Sequence, residues 1–135
     1  MPLVIYAPAL IKRGRRIDLT ASLPDSLPTY LSLLGVPYLN TGLGRDLLGL
    51  GAGDRHFSLI EHTGILDDEF YLRLDADVAR LFRYRSQEAV EDVHERYPEK
   101  VAELRRLHEA LYETSKYMLY HNPARPHAPR EVGRE

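Results

Sequence analysis

With 135 residues the chain is long enough for one domain with its own core. Eighteen basic residues against twenty acidic ones leave a formal charge of -2, which gives no electrostatic argument for a nucleic-acid or anionic-membrane partner. The absence of cysteine excludes a disulfide framework and a Cys-based zinc site, and no apolar run approaches the roughly 18 residues that span a bilayer.

Residues 3 to 7, L-V-I-Y-A, are apolar or aromatic without alternation and end at Pro8, the pattern of a strand buried on both faces of a sheet. A polar connection with Gly14 at its turn follows. Ser22 then offers a helix N-cap with Asp25 three residues on, a variant of the capping box. Pro24 and Pro28 fall in the opening turns, so a tight first turn and an α-helix to about residue 34 are expected, stopped by Gly35. Residues 36 to 54 hold five glycines and read as loop, with G-R-D-L-L a short turn that buries Leu47 and Leu48.

Three stretches have strand character: His56 to Glu61, Glu69 to Leu74 and Val78 to Tyr84, with Asp75-Ala76-Asp77 as a hairpin turn. Phe70, Leu72 and Leu74 fall on one face of the second and Tyr71 and Arg73 on the other. From Ser86 the period turns helical. One short helix is expected over Ser86 to His94 and a longer one from Pro98 to about Tyr120, with Val101, Leu104, Leu107, Leu111, Ser115 and Met118 as its buried stripe. Residues 124–135 read as a flexible tail after a domain of residues 1–123.

The block from Ser22 to Leu48 resembles the S-x-x-D-x-x-P-T-…-L-x-G-…-G-x-D/S-L segment found late in sulfatases and in lipoteichoic acid synthase-type phosphoglycerol transferases, both of the alkaline phosphatase superfamily. Ser22, Asp25, Pro28, Thr29, Leu33, Gly35, Gly44, Asp46 and Leu47 take the matching places. Leu81, Phe82, Glu88, Val93 and Pro98 are similar to the sulfatase C-terminal ending, with Ser86-Gln87 replacing its Asp-Pro and Asp92 its Asn. The ending Y-E-T-S-K-Y-M-L-Y-H-N-P resembles the phosphoglycerol transferases.

This resemblance implies an α+β fragment of an α/β superfamily: one buried strand and a Pro-containing helix, then a small antiparallel sheet and a long C-terminal helix. It also implies that the nucleophile and metal ligands lie upstream of this block, before residue 1. The chain is then expected to be the C-terminal structural subdomain of a metal-dependent sulfatase or phosphoglycerol transferase-like enzyme, inactive alone. No cofactor is expected in this chain, while the parent would use a divalent metal such as Mn, Ca or Mg. The upstream catalytic domain is the implied partner, with membrane contact only through a parent that is extracytoplasmic or membrane-anchored. The alternative is a stand-alone interaction module without catalytic activity. In either case the unpaired edge of strand 3–7 predicts a homo-oligomer when the chain is isolated.

Within the block Asp25 admits a catalytic reading, but a carboxylate three residues after a cap serves the orphan amides of the helix start. Thr29, inside a helical turn, is likewise read as structural, as are Gly44 and Asp46. His56 and His62 share a strand face with Ser58 and are candidates for a substrate-facing wall. They lack the third ligand a metal wants, since Glu61 points away. His108 and His121 are expected on the surface of the long helix, and His94 and His127 in solvent. The basic cluster Lys12, Arg13, Arg15 and Arg16 reads as a solvated connection. The glycine runs match no phosphate-binding motif.

Overall fold

The computed structural model describes residues 3–51, 53–60, 63–75, 78–85 and 91–121. A 3-10 turn, Leu23–Asp25, leads into helix α1 (Ser26–Leu33). Pro24 and Pro28 both stand in opening turns, where a missing N–H breaks no intrahelical bond. Gly35, at φ 65°, closes the helix in the left-handed conformation. The Val36 N–H then reaches back to the Leu31 carbonyl at 3.0 Å, the long return bond of a Schellman ending.

Four short strands follow: β1 (Ser58–Ile60), β2 (Gly64–Leu66), β3 (Phe70–Asp75) and β4 (Val78–Arg83), paired antiparallel in sequence order. Asp67 builds the β2–β3 turn: one carboxylate oxygen accepts the N–H groups of Glu69 and Phe70, at 2.8 and 2.6 Å. The ladder sets Tyr71 against Phe82, Leu72 against Leu81 and Arg73 against Arg80, so apolar and polar pairs alternate between the faces. Helix α2 (Pro98–His121) lies on the apolar face.

The core is small and lies wholly in this second half: Ile65, Phe70, Leu72, Leu81, Val93 and Leu104 are buried together. Val101, Leu107 and Leu111 extend the α2 stripe over it, and the Tyr97 ring packs on Phe70 with centroids 5.2 Å apart. Burying such side chains supplies roughly 1.5–3 kcal/mol each.

The α+β architecture, the Pro-containing helix, the antiparallel sheet and the long helix are those expected from sequence. Three particulars differ. Residues 3–7 form no strand, and Val4 and Tyr6 are 82% and 88% exposed. The ladder among the described residues runs from β1 to β4 and gives this segment no partner, so its β propensity goes unused. Glu91 to Tyr97 is not helical: Asp92 bridges to Phe82, and the Val93 N–H donates to the Leu81 carbonyl at 2.8 Å. Strand β2, centred on the fully buried Ile65, was not anticipated because Gly64 and the two apolar residues after it read as connection. Ser86 to Val90, the 76–77 turn and the tail lie outside the described residues.

Candidate functional site

The Ser22–Leu48 block closes on itself through one carboxylate. Asp25 is wholly buried and accepts five hydrogen bonds. The Ser22 N–H and hydroxyl donate to Oδ2 at 2.8 and 3.1 Å. The Arg45 N–H and Nε donate to Oδ1 at 2.7 and 3.1 Å, and Arg45 Nη2 donates to Oδ2 at 2.7 Å. Burial alone would push this carboxyl up, but the Arg45 guanidinium and the two backbone N–H groups outweigh it and hold Asp25 below the ordinary carboxylate range.

Thr29 and Gly44 complete the bracket. The Thr29 hydroxyl donates to the Asp25 carbonyl at 2.6 Å and accepts the Leu47 N–H at 3.0 Å, tying the helix to the glycine loop. Gly44 passes so close beneath the helix start that a methyl group there would collide with the Pro24 carbonyl and sit 3.1 Å from Pro28 Cγ. Asp46 stabilises the next turn by accepting the Leu48 N–H at 3.0 Å. Arg45 also reaches outward: Nη2 donates to the Phe57 carbonyl at 2.7 Å, Nη1 to the Arg55 carbonyl at 2.9 Å, and the guanidinium stacks 3.9 Å above the Phe57 ring. A single side chain thus joins the N-terminal lobe to the start of the sheet.

A second polar cluster gathers at the β2–β3 turn. His56 Nδ1 lies 2.6 Å from Asp68 Oδ2, while the Thr20 N–H donates to Asp68 Oδ1 at 2.7 Å. The Thr20 hydroxyl and the Tyr84 hydroxyl both reach the Asp67 carbonyl, at 2.9 and 2.6 Å. Lys100, from the first turn of α2, spans Asp67 and Glu103 at 2.8 and 3.1 Å. Burial raises the Asp68 carboxyl, yet the hydrogen bonds from His56 and Thr20 lower it further, leaving a net depression. For Lys100, burial lowers and the two carboxylates raise, with the ammonium form favoured on balance.

His56, Asp67, Asp68, Lys100 and Glu103 line a cleft of about 300 Å³ together with Phe70, Leu104 and Leu107. His56 Nε2 is buried on this side without a hydrogen-bonding partner among the described residues. The four carboxylates on its rim are all paired with basic groups: Asp67 with Lys100, Asp68 with His56 and Arg85, Glu69 with Arg83, and Glu103 with Lys100 and Arg55.

The structure therefore brings Ser22, Asp25, Pro28, Thr29 and Gly44 into one bracket, with Asp46 in the adjoining turn and Gly35 at the far end of the helix. His56 stands apart, just before β1 and not on its face; His62 and Glu61 lie outside the described residues. His108 is buried rather than on the surface, because it falls one helical turn from Leu104 on the core side of α2. Arg45, Thr20, Asp68 and Lys100 were not singled out from sequence. An arginine between Gly44 and Asp46 was the one local signal; Thr20 meets Asp68 across 48 positions, and Lys100 meets Asp67 from a separate helix, by tertiary structure alone.

No protein-family model matches the chain, and no curated protein matches it closely enough to count as a relative. Among the described residues no group of three or more His, Asp or Glu is placed to hold a metal ion. No helix among them is long and apolar enough to cross a membrane.

Proposed function

We propose that this chain is the C-terminal scaffold subdomain of a sulfatase- or phosphoglycerol transferase-like enzyme, in which the N-terminal lobe seats against the domain that carries nucleophile and metal. One observation carries the reading: the lobe is inside out. Its buried residues are Thr20, Asp25, Pro28, Thr29 and Gly44. Several of its large apolar residues face solvent, with Leu23, Leu27 and Leu34 at 76%, 62% and 62% exposure. Positions 23, 27, 30 and 34 form one stripe at helical spacing, and Val4, Tyr6, Leu10 and Leu39 are exposed as well. A lobe of this kind, with Leu31, Leu33, Leu43, Leu47 and Leu48 only half-buried, gains little hydrophobic stabilisation by itself and more on being covered.

The Ser22–Leu48 resemblance supports the enzyme family, and the bracket gives its residues a structural use: they fix the helix so that the stripe points outward. Two measurements test the proposal. Purified chain supplied with an aryl sulfate or aryl phosphate and manganese, calcium or magnesium is expected to show no metal-dependent turnover; turnover would contradict the scaffold role. Carbene footprinting of the protein as it occurs in its source cell is expected to leave Leu23, Leu27 and Leu39 protected, whereas the isolated chain labels there; equal labelling in both would contradict a covering domain. The same stripe also favours a second reading, a self-associating module in which another copy supplies the cover.

A further inference from the structure

The formal charge of -2 is not spread evenly along the chain. Residues 1–17 hold four basic side chains, Lys12, Arg13, Arg15 and Arg16, and no acidic one, a local +4 against -6 for residues 18–135. All four bases are exposed. Arg16 pairs with Asp18 at 2.9 Å, whereas Lys12, Arg13 and Arg15 meet no carboxylate among the described residues.

Directly before them runs L-V-I-Y-A-P-A-L-I, residues 3–11, without a charge. Leu3, Val4, Tyr6 and Leu10 are exposed, Val4 and Tyr6 almost wholly. The Ala7 carbonyl closes a turn by accepting the Leu10 and Ile11 N–H groups at 2.9 and 2.7 Å. Leu10 and Lys12 stand two positions apart, so at most about 7 Å of chain separates them, inside the Debye length of about 8 Å at physiological salt. At its far end the segment is tied to the sheet by Thr20, through the Asp68 carboxylate and the Asp67 carbonyl.

Exposed apolar side chains next to unpaired bases match the two layers of an anionic bilayer surface. The acyl boundary takes aliphatic groups such as Val4 and Leu10, the Tyr6 ring lies at headgroup level with its hydroxyl in water, and the acidic headgroups meet the bases. Nine apolar residues are too few to span a bilayer, so the contact is interfacial. A nucleic acid would engage the bases and leave the aliphatic side chains in water. We propose that residues 3–16 form a docking patch for an anionic lipid surface. The patch is separate from the α1 stripe, and its assignment does not depend on the enzyme reading.

Co-sedimentation of the full chain with phosphatidylcholine vesicles, prepared with and without phosphatidylserine, tests it. Binding is expected only with phosphatidylserine and should weaken as salt is raised. Each base near an anionic surface strengthens binding about fivefold, so Lys12→Gln, Arg13→Gln and Arg15→Gln together should weaken it about 100-fold. Val4→Ser with Tyr6→Ser should weaken it at least about tenfold. These side chains are exposed, so the circular dichroism spectrum should be that of the unchanged chain. Absence of binding to either vesicle, equal binding to both, or binding unaffected by the charge variant would overturn the proposal. Binding that survives Val4→Ser with Tyr6→Ser but is competed away by duplex DNA would also overturn it, by assigning the bases to nucleic acid.

Discussion

The carboxylate of Asp25 and the guanidinium of Arg45 face one another in a two-pronged pair, 3.1 Å at Nε and 2.7 Å at Nη2, with Asp25 wholly removed from solvent. Breaking one side of such a pair leaves an uncompensated buried charge, which costs about 3–5 kcal/mol. Arg45→Met should therefore destabilise the chain by that order in urea unfolding. The double variant with Asp25→Leu should recover part of the loss, because neither charge is then stranded. A loss in the double variant equal to the sum of the two single-variant losses would show the two residues to be uncoupled.

Acid should dismantle the same bracket. The Asp25 carboxyl is held below its ordinary range in the folded chain, so its contribution is complete above the unfolded-state value near about 4 and is lost as pH falls through the folded-state value. Asp68 acts in the same direction. Unfolding followed by circular dichroism should steepen below about pH 4, and Asp25→Asn should flatten that dependence. Lys100 has the opposite sign: its raised value gives stability that is full below the unfolded-state value near about 10.4 and disappears as pH rises beyond it.

Thr20 holds the first segment to the sheet through three groups, the Asp68 carboxylate, the Asp67 carbonyl and the Tyr84 hydroxyl. Thr20→Val keeps the shape and the backbone N–H but removes the hydroxyl, at a cost of about 1 kcal/mol. Limited proteolysis should then cut residues 10–19 faster while α2 stays protected. An unchanged cleavage rate would show that the hydroxyl contributes no restraint.

In the core, Leu104→Ala removes the one α2 leucine that is almost completely buried against Ile65, Leu72 and Leu81. A loss of about 2–5 kcal/mol is expected in denaturant unfolding, large for a core this small. Leu119→Ala, on the exposed end of the same helix, should change stability by less than about 0.5 kcal/mol.

Local signals in the sequence were enough for several elements. Ser22, Pro24, Pro28 and Gly35 place α1 because caps, prolines and a left-handed glycine act within one turn. The spacing from Val101 to Leu111 places α2 because its period repeats over three turns. The segment 3–7 misled, since an apolar run records propensity and not the presence of a neighbour. Asp92 misled for a related reason: its bridge to Phe82 and its bond to the Leu81 N–H at 3.1 Å come from a strand ten residues away. The polar clusters were hidden because Arg45 and Lys100 look like any surface base until folding sets Asp25 and Asp67 beside them.

Sedimentation velocity over a concentration series tests most directly the claim that the outward stripe on α1 and its entry turn is a surface made to be covered. The isolated chain should associate as its concentration rises, and Leu23→Asp with Leu27→Asp should return it to a monomer with its unfolding midpoint unchanged. A chain that sediments as a monomer at every concentration, with or without those substitutions, would contradict it.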